Sequence, residues 1–173
     1  MQGNVRHPRS TAFLLAQVGA HAAARFAGRL AALDLSPAHA GTLRVIEQNA
    51  GISQQALSSV LGMVPSRLVV LVDELEERGL VERRDAPDDR RTHALHLTRK
   101  GAETFEAVGR IARAHDDDVC APLGADEREV LGAMLRRIAD HEGLTPGVHP
   151  GFSRPVRSRG GAPKGPRGKR RAP

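Results

Sequence analysis

The chain has 173 residues, 40% hydrophobic and 2% aromatic, with no Trp and no Tyr: one domain with extensions, its core built from Leu, Val, Ile and Ala, which favours helices and excludes functions that stack sugars or single-stranded bases on rings. The formal charge of +6 comes from the end of the chain, because residues 144–173 hold eight Lys or Arg and no acid, leaving 18 basic against 20 acidic side chains, a net −2, over residues 1–143. Overall basicity therefore carries little weight for nucleic-acid binding by the folded part, and that case has to come from local pattern.

Residues 1–9 are polar and read as a flexible start. Arg6 and Arg9 before the apolar run Thr11–Ala16 resemble the opening of a signal peptide, but Gln17 breaks the run, and Arg25 and Arg29 continue it at helical spacing. Neither a leader nor a membrane span is expected. Ser10 suits an N-cap, and Leu14, Val18, Ala22, Phe26, Leu30 and Leu33 recur every three or four positions, one stripe on a long first helix. Ser36-Pro37 is a capping hydroxyl followed by a proline at the first helical position, and it opens a second helix to about Gln48.

Ser53 caps a short third helix carrying Ala56, Leu57, Val60 and Leu61, and Gly62 permits a tight turn. Pro65 opens a fourth helix with the stripe Leu68, Leu71, Val72 and Leu75, closed by Gly79. Together these make a helix-turn-helix over about residues 53–79. The period then changes. Leu80–Arg84 reads as a strand, Asp85–Arg90 as a charged turn and Thr92–Thr98 as the returning strand, a wing over about residues 80–98. The expected fold is mainly α with a small β-hairpin wing: a winged helix with long flanking helices.

Thr98 caps a fifth helix with Phe105, Val108, Ile111 and Ala112, fading near Asp116–Asp118. A sixth begins near Ala125, with Val130, Leu131, Met134, Leu135 and Ile138 on one face. The folded unit is thus expected over 10–142. Residues 143–173, with six Pro and six Gly among the last thirty positions, read as a disordered basic tail.

The segment Leu68–Gly101, LVVLVDELEERGLVERRDAPDDRRTHALHLTRKG, resembles the winged-helix signature of the MarR (multiple-antibiotic-resistance regulator) family. DELEERGLVER is shared by many winged helices, whereas DDRRT and LTRKG at this spacing are more specific. The resemblance covers about residues 10–142. It implies a cytoplasmic, triangular homodimer held by the first, fifth and sixth helices, each subunit presenting one recognition helix to a palindromic operator in double-stranded DNA. It also implies repression relieved by a small anionic or phenolic ligand.

On the fourth helix the apolar stripe leaves Ser66, Arg67 and Val70 on other faces, with Ser66 and Arg67 in the first turn, where helix N-termini approach phosphates and base edges. Arg67 suits a guanine in the major groove; alternatively it is merely solvated. Asp73, Glu74, Glu76 and Glu77 crowd the second half, so only the first half should enter the groove. In the wing, Arg83, Arg84, Arg90 and Arg91 mix with Asp85, Asp88 and Asp89, a balance that also suits a solvated hairpin. By resemblance, Arg91 is the wing arginine that enters the minor groove, Asp89 is the acid that orients the hairpin, and Arg84 and Arg90 lie beside them.

His21, Arg25, His39 and Arg44 fall on the first two helices, near where family pockets form, and suit an anionic or phenolic ligand or an exposed polar face. The lone Cys120 allows no internal disulfide, which fits a reducing cytosol, and the three aspartates before it disfavour a reactive thiolate. His115–Asp118, Cys120 and His141 lack metal-ligand spacing and read as a solvated helix end. No cofactor or metal is expected. No GxSxG, P-loop or zincin pattern occurs, so no enzyme activity is expected. The competing function is an architectural, largely sequence-independent DNA-binding protein driven by the tail, which a salt series would distinguish.

Overall fold

The computed structural model describes residues 10–86 and 89–149; of residues 86 and 89–92 only the strand backbone is described. In chain order come α1 (Thr11–Leu30), a 3-10 turn (Ala31–Leu33), α2 (Pro37–Gln48), β1 (Ile52–Ser53), α3 (Gln54–Leu61) and α4 (Pro65–Glu77). The hairpin strands β2 (Val81–Ala86) and β3 (Asp89–Leu97) follow, then α5 (Arg99–Val119) and α6 (Ala125–His141). The fold is a winged helix flanked by long helices.

The helix starts follow their capping residues. Ser10 Oγ accepts from the Phe13 N–H at 3.1 Å, Ser53 Oγ from Ala56 at 3.2 Å, and Thr98 Oγ1 from Gly101 at 3.0 Å. Each satisfies an amide that a helix N-terminus otherwise leaves open, worth about 1 kcal/mol. Ser36 and His39 close a reciprocal box: Ser36 Oγ accepts from the His39 amide, and His39 Nδ1 accepts from the Ser36 amide at 3.1 Å. The turn between α3 and α4 closes at Gly62, where φ is +60°, and the Ser58 hydroxyl donates to the Met63 carbonyl at 2.6 Å across it.

The core lies among α2, α3, α4 and the sheet. Leu43, Leu57, Leu61, Leu68, Leu75 and Leu95 are each fully buried, joined by Leu30, Val45, Ile46, Val72 and Val81. Burying each such side chain contributes about 1.5–3 kcal/mol, so this unit closes on itself within one chain.

Several elements differ from the sequence reading. β1 is an extra strand: it pairs with β3 through Ile52–Leu95 and Ser53–Ala94, giving an antiparallel sheet of order β1-β3-β2. Two residues show no periodicity. The hairpin strands run further than expected, with Asp85 opposite His93 and an irregularity at Ala86–Asp89, so the turn is shorter than Asp85–Arg90; residues 87–88 at its centre lie outside the described set. On α3, Ala56 and Val60 are exposed and Ser58 is buried instead, because the helix packs through Leu57 and Leu61 and the Ser58 hydroxyl has a carbonyl to bond. α1 ends at Leu30, leaving Leu33 in the 3-10 turn that bends the chain toward α2. α5 continues through the aspartates to Val119, where Arg25, Arg29 and Arg128 pair with Asp118 and Asp117.

Candidate nucleic-acid interface and ligand cavity

The first half of α4 is a bare surface. Pro65, Ser66 and Arg67 are exposed, and Val69 and Val70 are 42% and 57% exposed. The N-cap Val64 supplies no side-chain bond, so the first-turn amides have no side-chain acceptor. Arg67 has no ion-pair partner among the described residues, leaving a guanidinium with five donors one helical turn from the exposed Val70 methyls, and the Ser66 amide near them. Such a surface can donate to phosphates and guanine and can touch thymine methyls.

The second half of α4 is committed elsewhere. Arg83 on β2 donates to Asp73 Oδ1 at 2.5 Å and also pairs with Glu76. Burial works against the Arg83 charge, but the hydrogen bond to Asp73 and the charges of Glu76 and Asp73 outweigh it and raise its pKa further. Glu74 pairs with His39 Nε2 at 2.9 Å, joining α4 to α2. Three of the four acids that looked merely repulsive toward phosphate, Asp73, Glu74 and Glu76, thus tie α4 to β2 and to α2.

In the wing, Arg84 is exposed and held by Glu82 on its own strand, Nε to Oε1 at 3.0 Å. Its charge is therefore paired within the hairpin. Asp89, Arg90 and Arg91 lie on the β3 backbone, and their side chains fall outside the described residues.

The sequence reading missed a junction that holds both halves in place. The Thr98 hydroxyl donates to the Gly79 carbonyl at 2.7 Å, the Thr98 amide to Leu80 at 3.1 Å, and Lys100 Nζ to the Arg78 carbonyl at 2.8 Å. Gly101 packs so closely on Leu80 that a Cβ there would overlap its carbonyl. The Thr-Arg-Lys-Gly run is therefore the joint between α5 and the end of α4, and glycine is the one residue it admits. Arg78 extends the joint by donating to the Asp34 carbonyl at 2.7 Å and the Leu33 carbonyl at 3.1 Å. Asp34, at φ +54°, supplies the bend.

The four residues read as ligand candidates separate. Arg44 borders a cavity of about 290 Å³ among α1, α2 and α5, walled by Phe26, Ala40, Phe105 and Val108, with Gly147 and His149 at its edge. His21 and Arg25 border another hollow of about 400 Å³ between α1 and the end of α5. There Arg25 lies 3.5 Å from Asp118, which also pairs with Arg29. That hydrogen bond and the charge of Arg29, with Arg25 adding to them, hold the Asp118 carboxyl below its usual value. His39 borders neither hollow, and its two ring nitrogens meet the Ser36 amide and Glu74. The Cys120 thiol is half-buried, 3.9 Å from the Asp116 carboxylate. Among the described residues no three His, Cys, Asp or Glu side chains are grouped to hold a metal ion, and no single helix is long and apolar enough to cross a membrane.

A family model described as MarR family matches residues 33–92, the stretch from the end of the 3-10 turn through the wing. A Thauera aromatica protein described as a transcriptional regulatory protein for the hcr operon is 35% identical over 112 residues, 65% of this chain and 68% of that protein. The transcriptional regulator HosA of Escherichia coli O111:H- is 28% identical over 105 residues, covering 61% and 78%. Among solved structures, the transcriptional repressor CouR bound to a 23-mer DNA duplex superposes with a TM-score of 0.68 at 33% identity, over 75% of this chain and 92% of that one. Wild-type apo MarR from E. coli superposes with a TM-score of 0.66 at 26% identity, over 75% and 96%.

Proposed function

The chain belongs to the MarR family and is a DNA-binding transcriptional regulator rather than an enzyme; from that premise we propose that it is a cytoplasmic homodimeric repressor which a small ligand releases from a palindromic operator. The observation that carries the reading is the division within α4. The outer face of its first half presents Arg67, unpaired among the described residues, while Asp73, Glu74 and Glu76 are tied back to β2 and α2. CouR, a similar structure bound to a 23-mer DNA duplex, supports duplex DNA as the partner.

In this reading Ser66, Arg67 and Val70 contact base edges and phosphates in the major groove. Arg84, Arg90 and Arg91 carry the wing along the backbone and into the minor groove, with Asp89 orienting the hairpin. The folded unit of residues 10–142 reads sequence, and the basic tail adds affinity through counterion release.

The homodimer rests on apolar surface. Phe13, Leu14 and Val18 of α1 are 48–54% exposed, and Val130, Leu131, Met134, Leu135 and Ile138 of α6 are 39–53% exposed. α6 contributes no buried residue to its own chain. A two-fold copy covers both faces at once. Ligand release follows from linkage: the Arg44 cavity is walled by α2, and α2 is joined to the recognition helix through His39–Glu74. A ligand that prefers one position of α2 shifts α4 by its differential affinity.

Footprinting on the promoter of its own gene tests the reading. The expected result is an inverted repeat with half-sites about one helical turn apart, protected by a dimer. Equal affinity for random DNA that collapses with salt would instead establish the tail-driven, architectural function.

A further inference from the structure

The chain does not leave the Arg44 cavity at Gly143. Helix α6 ends in a reversal at that glycine: the Leu144 amide donates to Ala139 at 2.9 Å and the Gly143 amide to Asp140 at 3.1 Å, with φ +67° at Gly143. The Val148 amide then donates to the Thr145 carbonyl at 3.1 Å around Pro146 and Gly147, with φ +69° at Gly147. Proline followed by glycine at positive φ is the order a type II turn requires. The turn carries the Gly147 carbonyl to Arg44, whose Nη2 donates to it. A Cβ at Gly147 would collide with the guanidinium. Two glycines, one proline and one arginine thus build a strap that lies at the edge of the cavity.

Among the described residues lining this cavity, Arg44 is the one permanently charged side chain; its other neighbours there are mostly apolar, Phe26, Ala40, Phe105 and Val108 among them. A guanidinium at the edge of an apolar hollow suits a ring or short chain bearing one carboxylate, which it can hold by two parallel hydrogen bonds. At present part of that fork is spent on a backbone carbonyl, a neutral and weaker acceptor.

We propose that the Thr145–Val148 turn is a built-in competitor for the cavity: the Gly147 carbonyl occupies Arg44 in place of a carboxylate, so that binding of an apolar carboxylate and docking of the strap exclude each other. Residues 150–173 follow the strap directly, with their eight Lys and Arg. The proposal rests on the ligand-responsive reading above and specifies its ligand class and its gate.

Calorimetric titration of the full-length protein with benzoate, and with neutral benzamide as control, tests it alongside hydrogen exchange at the Val148 amide. Gly147→Ala should undock the strap without touching the core. If the strap is docked for about four-fifths or more of the time, this variant should bind benzoate about fivefold tighter or better, because apparent affinity scales with the competent fraction. Arg44→Gln should weaken benzoate about tenfold while leaving benzamide unchanged, the loss of one charge-assisted pair. Benzoate should also speed exchange of the Val148 amide in the wild-type chain. Equal benzoate affinity in wild type and Gly147→Ala, slowed Val148 exchange, or no benzoate binding by any variant would overturn the proposal. If benzoate displaces the strap as expected yet operator affinity does not change, the exchange stands and ligand-released repression fails.

Discussion

Leu57, Leu61, Leu68 and Leu75 of the helix-turn-helix are fully buried within one chain, whereas Val130, Leu131, Met134, Leu135 and Ile138 of α6 are 39–53% exposed and α6 buries nothing. Both stripes have the same period and similar residues. They differ in what surrounds them: the first meets α2, α3 and the sheet, and the second is left exposed among the described residues. Amphipathic pattern therefore identifies an apolar face without saying whether the same chain covers it. Here the contrast separates a helix-turn-helix whose core is complete in one copy from an apolar face that the proposed second copy would cover.

The largest expected effect strikes the complete unit. Leu68→Ala removes a fully buried side chain from the inner face of α4 and should cost about 2–5 kcal/mol of stability through lost burial and a residual cavity. Urea unfolding at several protein concentrations checks it, and the loss should be the same at each. A loss that grows on dilution would mean that the recognition helix depends on the partner copy, and the contrast would fail.

Met134→Asp attacks the other face. Met134 is 53% exposed in one chain, so the isolated fold should tolerate the charge. In a two-fold dimer the substitution occurs twice, and each copy buries a carboxylate while losing about 1.5 kcal/mol or more of apolar burial. The dimer dissociation constant should rise about a hundredfold or more, read by sedimentation equilibrium. An unchanged dimer with Met134→Asp would place the interface elsewhere.

The same contrast explains what was legible in the sequence. Helix starts were readable because their signals are local: Ser10, Ser36, Ser53 and Thr98 each cap the helix they precede. The α4 stripe was readable because all its members meet one core. Long-range effects were not. β1 exists only because β3 passes beside Ile52, and the His39 Nε2 contact reaches Glu74, 35 positions away. Composition also hid a signal, since Gly143 and Pro146-Gly147 are stop and turn residues that merged with the Pro/Gly-rich end.

Within the DNA-facing surface a smaller effect separates free from spent arginines. Arg67→Ala should cost about 1–3 kcal/mol on the operator and relax preference at one base position, since the side chain is exposed on the helix proposed above to enter the groove. Arg84→Ala should cost less than about 1 kcal/mol, because Glu82 already shares its charge. Binding titrations on operator and random duplexes measure both. Equal losses for the two variants would show that the Glu82 pair opens on DNA and that exposure alone sets the contribution.

The smallest effect lies at the seam where α1 meets α5. The His115 ring packs 5.4 Å from Phe26, with its Nδ1 buried and lacking a hydrogen-bond partner among the described residues. Burial, then the charges of Arg29 and Arg25 on α1, push its pKa below the ordinary 6.5, against the opposing pull of Asp116 and Asp118 on α5. A histidine with a depressed folded pKa stabilises the fold above its unfolded value, and that contribution is lost as pH falls through it, because the unfolded chain then takes up more protons. Stability should therefore decline as pH drops below about 6.5, the ordinary histidine value, and His115→Gln should flatten that decline. Asp118→Asn sharpens the test, since it removes one opposing charge and leaves Arg29 and Arg25 without their shared partner. The His115 imidazole should then titrate at a still lower pH, followed by its ring proton resonances. An imidazole that titrates at 6.5 or above in the wild-type protein, or that rises in Asp118→Asn, would show that water or the partner copy reaches Nδ1. In that case the seam is open to solvent or to a second chain and does not close within its own.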